Sequence, residues 1–229
     1  MGAMLLLVVV FAGLGSWQVQ RLFWKLDLIA RVDARVQANA VPAPSRVEWE
    51  AVGAEKDEYR HVTVTGDFEH SKTVLVQAVT ERGAGFWVLT PMRRQDGSTV
   101  LINRGFVPAD RRDASDRAQG NIAGAVEVTG LLRMSEPGGA FLRSNDPAND
   151  RWFSRDVAAI AASKGLADVA PYFVDADATP VPGGLPIGGL TIVRFRNSHL
   201  VYALTWYGLA MMSAAGAYCV YRSGSAASA

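Results

Sequence analysis

Two long uncharged segments lie at the ends of this chain. Residues 1–20 carry no charged side chain, and Leu, Val, Phe, Ala and Gly dominate them. From Asn197 to Tyr221 the chain again carries no formal charge. An apolar segment of about 20 residues can cross a bilayer as a helix. The pattern therefore predicts transmembrane helices at residues 1–20 and 198–221 of a membrane protein.

The first apolar segment passes directly into an amphipathic one. Between Leu22 and Val36, apolar residues recur at helical spacing among Arg, Lys and Asp residues. This pattern predicts a helix that leaves the membrane and continues to about Ala38. No Lys or Arg precedes the apolar run and no A-x-A-like site follows it, so we expect a retained anchor and not a cleaved signal peptide.

The segment between the two apolar ends is rich in β-strand patterns. Asp96-Gly97 separates two β-rich runs and predicts a hairpin, because this dipeptide tolerates positive φ angles. Ser154 is a candidate cap for a short helix that ends near Gly165. Strands are predicted at residues 60–65, 73–79, 85–92, 98–103, 126–133 and 172–175.

The predicted fold class is an α+β membrane protein. Two transmembrane helices flank a mostly antiparallel β soluble domain with short helices, residues 21–197. Residues 222–229 are predicted to form a short tail.

The charges of the chain are nearly balanced. It has 23 Lys and Arg and 22 Asp and Glu residues, and all except Arg222 lie between the apolar segments. This balance gives no electrostatic argument for nucleic acid, which needs a basic patch. Basic residues beside both helices favour a cytoplasmic domain, but that rule weakens for loops longer than about 60 residues. Cys219 is the single cysteine, which excludes an intramolecular disulfide; we interpret it as a small buried side chain.

Only three histidines are available for chemistry. His61 lies in a predicted strand and His70 in the turn after Phe68. Their spacing matches no metal-ligand pattern, and neither a G-x-S-x-G motif nor a P-loop occurs. These residues argue against an enzyme.

The third histidine begins the second apolar segment. At about 100° per residue, one stripe of this helix combines an imidazole, an aromatic ring and small residues, with Tyr202 and Ser213 at its margin. The stripe contains His199, Ala203, Trp206, Ala210 and Ala217. Imidazole is a usual ligand of haem iron, and small residues admit a flat ligand or another helix. Spacing alone favours helix packing and leaves the ligand site open.

Basic residues near the same membrane surface bear on the ligand hypothesis. Arg21 and Lys25 follow the first helix, and Arg194 and Arg196 precede the second. Guanidinium and ammonium groups pair well with carboxylates such as haem propionates.

Several ordered motifs carry a family resemblance. They are Leu14–Arg21 with Lys25, the block from Gly85 to Pro108, Trp152–Asp156, Pro171–Phe173 and Asn197–Trp206. With the two-helix layout, they resemble the Surfeit locus protein 1 family of cytochrome c oxidase assembly factors. Ser198 replaces an Asn that the family often has, and Phe106 replaces a Trp. No mitochondrial presequence is visible, so we expect a bacterial member.

The resemblance implies a non-enzymatic assembly factor in the inner membrane. It implies a multi-pass protein with its soluble domain on the periplasmic side and a short cytoplasmic tail at residues 222–229. It also implies that the protein binds haem a and assists its insertion into the catalytic subunit. His199 is the expected ligand of the haem iron, with Tyr202, Trp206 and Arg196 as further haem-binding residues. The expected partners are cytochrome c oxidase subunit I, haem A synthase and membrane lipid, but no nucleic acid.

Two other functions remain open. One is a membrane scaffold that stabilises the nascent oxidase subunit without binding haem, and the other is a membrane-anchored enzyme. Asn103-Arg104-Gly105 also has two interpretations. It is either a docking or haem-contact loop after a strand, or a strand exit where Gly105 supplies an unusual backbone angle and Arg104 pairs locally.

Overall fold

The chain divides into two compact units. The computed structural model describes residues 2–140, 142–193, 195 and 197–226, with side chains as far as residue 223. One unit comprises residues 1–33 and 193–229 and is built from two long helices, while residues 34–192 form a β-rich unit. This combination confirms the α+β class expected from the sequence.

The two long helices have the length and apolarity of membrane spans. Helix α1 (Gly2–Gln37) and helix α4 (His199–Ala226) both qualify, and their most apolar windows are only 6% and 17% buried. A core helix of a soluble protein would be mostly buried, so these exposed apolar surfaces indicate a membrane protein. The unbroken course of α1 to Gln37 confirms the predicted amphipathic extension. Cys219 is exposed on α4, so its interpretation as a buried side chain was wrong.

Among the described residues of the β-rich unit, seven strands form one sheet. They are β1 (Val41–Pro42), β2 (His61–Phe68), β3 (Val74–Thr80), β4 (Gly83–Arg94), β5 (Thr99–Pro108), β6 (Ala125–Met134) and β7 (Val169–Ala176). The order is β1-β2-β6-β7-β5-β4-β3, and β2 also pairs with β4. This extra pairing closes β2, β6, β7, β5 and β4 into a barrel. The pairs are antiparallel except β1–β2 and β5–β7.

Two hydrophobic clusters lie on opposite faces of the barrel wall. The inner cluster includes Val62, Ile102 and Leu132. The outer cluster includes Leu101 and Trp152 and lies under the short helix α3 (Val157–Ser163). Strand β5 contributes to both clusters, which explains why it is apolar on both faces. A second short helix, α2 (Ala54–Asp57), precedes β2.

The predicted hairpin turn is found in the structure, whereas the predicted helix cap is a different residue. Gly97 has φ +81° in the β4–β5 hairpin, and Ser98 donates from its N and Oγ to Asp96 Oδ1 at 2.9 and 2.6 Å. The predicted hairpin is therefore confirmed. The cap of α3 is Asp156, not Ser154, because the Asp156 carboxylate accepts from Ala159 N at 3.1 Å. Ser154 Oγ instead donates to Glu136 O at 2.7 Å.

Candidate functional site

Helices α1 and α4 contact each other in antiparallel fashion along the stripe identified in the sequence. Small side chains of α4 are buried there, with Ala203, Ala210 and Ala217 between 2% and 8% exposed. Trp206 stacks on Phe11 with ring centroids 5.7 Å apart. We call this contact the helix seam. Close packing of small residues and aromatic rings is the usual way in which membrane helices associate.

Tyr207 fixes the middle of the helix seam. Its hydroxyl lies 3.1 Å from Ser16 Oγ. Its ring lies so close to Gly15 that a Cβ there would be only 2.9 Å from the nearest ring carbon. A side chain at position 15 would therefore have to displace the Tyr207 ring.

His199 lies at one end of the helix seam and is oriented by α1. Its Nδ1 is 2.8 Å from Gln18 Oε1. An amide oxygen only accepts, so Nδ1 carries the hydrogen and donates it. In the neutral imidazole this leaves the Nε2 lone pair for a metal, the arrangement in which a second hydrogen bond fixes the tautomer of a ligating histidine.

The other predicted site residues have different surroundings. Tyr202 is 54% exposed, whereas Trp206 is half-buried against Phe11. Arg196 lies outside the described residues, as does Arg194. The structure thus places His199 and Trp206 along the helix seam and leaves Tyr202 on its outer flank.

Basic side chains near this end of the helices contact aromatic rings. Lys25 Nζ lies 4.9 Å from the centroid of the Phe195 ring, and Arg21 Cζ lies 4.3 Å from that of Trp24. These cation–π contacts hold positive charge close to aromatic rings. One of the two rings, that of Trp24, is of a kind enriched at membrane surfaces.

Sequence reasoning missed Gln18 as the partner of His199. A helical pattern assigns residues to faces, but it does not say which residues of two distant helices meet. The available signal was a carboxamide close to the end of an otherwise apolar run, since polar groups in membrane helices tend to bond across helices.

A buried cluster of charges surrounds Asp175 in the β-rich unit. The Asp175 carboxylate accepts from Asn103 Nδ2 at 2.7 Å, Arg133 Nη1 at 2.9 Å, Arg155 Nη1 at 3.1 Å and Thr191 Oγ1 at 2.9 Å. We call these residues, with Glu58 and Glu136, the Asp175 cluster. Glu58 binds Arg133 at 2.7 Å, and Glu136 binds Arg155.

The carboxylates of the Asp175 cluster stabilise the charged form of Arg133. Burial lowers the pKa of Arg133, but Asp175 and Glu58 raise it by more, so the pKa lies above the ordinary value. The cluster contains no histidine or free cation, and every charged member has a partner of opposite sign. This arrangement is typical of a structural ion network.

The Asn103-Arg104-Gly105 motif lies within β5 and does not follow its end. The strand continues to Pro108, because the sheet supplies partners on both sides of it. Gly105 has φ +129° and approaches the backbone of Ile187 closely, which confirms the unusual angle. Arg104 is 6% exposed and donates hydrogen bonds to Gly120 O and Asn121 Oδ1. Asn103 instead belongs to the Asp175 cluster.

The other two histidines bond to backbone carbonyls. His61 Nδ1 is 2.8 Å from Ala38 O, and His70 Nε2 is 2.9 Å from Ile122 O. Among the described residues there is no group of three or more His, Cys, Asp or Glu side chains that could hold a metal ion. Both contacts favour structural roles for these two residues.

Comparison with known proteins decides the family. The SURF1 family model matches residues 5–211, which include nearly all of α1, the first half of α4 and the whole sheet. This chain belongs to the SURF1 family. It is 40% identical to human Surfeit locus protein 1 over 96% of this chain and 75% of the relative. The mouse protein of that name is 40% identical, with 86% and 67% covered, and a SURF1-like protein of Caenorhabditis elegans is 34% identical, with 93% and 71% covered.

Membership in the SURF1 family confirms the resemblance drawn from the sequence motifs. The matched region contains His199, Gln18, the Asp175 cluster and Arg104. These candidate site residues therefore lie in the part of the chain that is related to the SURF1 family.

Proposed function

We propose that this SURF1 family member is an assembly factor for a haem a-containing cytochrome c oxidase. It binds haem a through His199 and assists its insertion into the catalytic subunit, oxidase subunit I. The observation that carries the proposal is the hydrogen bond from His199 Nδ1 to Gln18, which orients Nε2 as a ligand. Because a bound haem is passed on, haem a is cargo of this protein.

The residues around His199 fit a haem. A neutral imidazole with a fixed tautomer is the usual protein ligand for haem iron. The exposed ring of Tyr202, one turn along α4, offers an aromatic surface beside it. Lys25, Arg21 and Arg196 would supply positive charge for the propionates. Trp206 would support the site indirectly, through its contact with Phe11.

The proposed topology places the β-rich unit on the periplasmic side of the inner membrane. The N-terminal end of α1 and the C-terminal end of α4 then lie on the cytoplasmic side. The expected partners are oxidase subunit I and haem A synthase, and lipid surrounds the exposed apolar faces of α1 and α4. Alkaline phosphatase fused at the exposed Ala114 should be active, and an inactive fusion would reverse the topology.

A scaffold without haem is the second candidate. The observation that favours it is the closed helix seam, in which Ala203 and Trp206 already contact α1 and leave no room for a flat ligand between the helices. A scaffold would use the two helices and the β-rich unit to hold the nascent oxidase subunit.

Spectroscopy of the purified protein separates the two candidates. The wild type, made in cells that synthesise haem a, should show a haem spectrum that His199→Ala removes. His61→Ala is the matched control, because His61 bonds only to a backbone carbonyl among the described residues. Gln18→Leu should weaken haem binding about 10-fold or more, as loss of such outer partners does at metal sites. A wild type free of haem, or a His199→Ala spectrum equal to the wild type, would favour the scaffold.

A further inference from the structure

Arg104 is a buried cation at one end of the barrel. It lies two residues after Ile102 on β5, and so on the same face of the strand, which is the inner face. Its guanidinium lies 5.1 Å from the centroid of the Phe68 ring. A positive charge thus lies at the point where the apolar interior of the barrel ends.

The partners of Arg104 are neutral. It donates to Gly120 O, to Asn121 Oδ1 at 2.9 Å and to His70 Nδ1 at 3.4 Å. His70 Nδ1 faces the guanidinium as an acceptor, while Nε2 donates to Ile122 O. Among the described residues, no carboxylate lies within ion-pair distance of Arg104.

The charge of Arg104 is therefore not compensated within the β-rich unit. Burial and, to a smaller extent, the nearby charge of Arg117 together lower its pKa to about 10. A buried charge is costly unless it is paired with an opposite charge. Neutral acceptors offset part of this cost, and an anion would offset more.

A cavity opens beside this guanidinium. Its volume is about 140 Å³, and the apolar side chains of Phe68, Ile102, Val126 and Val128 line it together with Arg104. A cavity of about 150 Å³ in another protein holds a benzene ring, so a body of about six carbons fits here. The mouth of a β-barrel is a common position for small-molecule sites.

One acidic residue, Asp177, also lines the cavity and limits the charge of its ligand. Glu127 lies between Val126 and Val128 on β6, so its side chain projects from the opposite face of the strand. Asp177 would repel a second negative charge on the same molecule. The site thus combines one buried cation, an apolar cavity and an acidic residue that disfavours dianions.

We propose that this cavity binds a short apolar monocarboxylic acid. Its carboxylate pairs with the Arg104 guanidinium, and its hydrocarbon body fills the end of the barrel. Charge-assisted pairing of arginine with carboxylate is strong and directional. The site lies wholly within the β-rich unit and is independent of the proposed haem function.

Calorimetric titration of the full-length protein in detergent micelles tests this site with hexanoate, hexanamide and adipate. Hexanoate should bind at least about 10-fold more tightly than hexanamide, which has the same shape without the charge. Adipate should bind more weakly than hexanoate because its second carboxylate is repelled by Asp177. Equal affinities for hexanoate and hexanamide, or no binding of hexanoate, would overturn the proposal.

Two variants and a control locate the site. Arg104→Met should weaken hexanoate binding by about 10-fold or more, while Arg46→Met should not change it, since Arg46 is an exposed arginine outside the cavity. If Arg104→Met does not fold, Val128→Phe serves instead, because it fills the cavity and keeps the cation. Unchanged hexanoate binding in the folded Arg104→Met or Val128→Phe protein would overturn the assignment.

Discussion

The substitution Asp175→Asn should strongly destabilise the β-rich unit. The side chain of Asp175 is 3% exposed, and those of Arg133 and Arg155 are 14% and 12% exposed. Asparagine keeps the shape of aspartate but removes its negative charge, and it points an amide donor at groups that also donate. Two nearly buried guanidinium groups would then lose the carboxylate that they share.

The magnitude follows from what the two arginines retain. Removing one partner of a buried ion pair costs about 3–5 kcal/mol. Arg133 keeps Glu58 and Arg155 keeps Glu136, so we expect the lower end, about 3 kcal/mol. For a cooperative unit of this size, each kcal/mol lowers the Tm by about 2–4 °C. The expected decrease in Tm is therefore about 6–12 °C.

The assay is thermal unfolding of the full-length protein in detergent, monitored by the far-UV circular dichroism signal of the β-sheet. Asp168→Asn is the matched control, because Asp168 pairs with Arg46 at 2.6 Å where both side chains are exposed. Such pairs contribute less than about 1 kcal/mol, and asparagine tolerates the φ of +50° at this position. If Asp175→Asn lowers the Tm no more than Asp168→Asn, the stabilising role of the Asp175 cluster is refuted.

Three further predictions concern acid stability and close packing. Burial raises the pKa of Glu136, but its arginine partner lowers it by more, so the net pKa is below the ordinary 4.5. The stability that this group contributes is present at neutral pH and is lost as the pH falls through the lowered pKa, so Glu136→Gln should reduce that loss. The check is urea unfolding of the wild type and the variant at a series of pH values. Parallel profiles of stability against pH for the two proteins would contradict this prediction. Gly15→Val should cost about 1–3 kcal/mol in SDS unfolding of the helices, whereas Gly13→Val, with open space around it, should cost less. Gly124→Ala should destabilise the barrel by about 1–2 kcal/mol, because Gly124 has a positive φ. Gly105→Ala should destabilise it by more, because Gly105 also has a positive φ and its new Cβ would lie 2.2 Å from a backbone oxygen. Equal Tm values for the two variants would count against this prediction.

Local patterns predicted the strands well, because a strand and its hairpin are specified by neighbouring residues. The Asp96-Gly97 turn and the alternation along β2 are examples. The closure of the barrel through β2 and β4 was not predicted, since no local pattern records which distant strands pair. The Asp175 cluster was missed for the same reason: its charged members lie far apart in the sequence and meet only when β6 and β7 pair.

The stripe on α4 shows where a sequence pattern stops being informative. The pattern placed His199, Ala203 and Trp206 on one face, and the structure uses most of that face for the helix seam. A flat ligand cannot lie beside Ala203 while the two helices are in contact, because this residue is only 2% exposed. A haem bound by His199 would therefore have to lie at the end of the helix seam, or on the flank where Tyr202 is exposed. In the second case, Tyr202→Ala should weaken haem binding while Ala210→Gly, inside the helix seam, should affect helix packing alone.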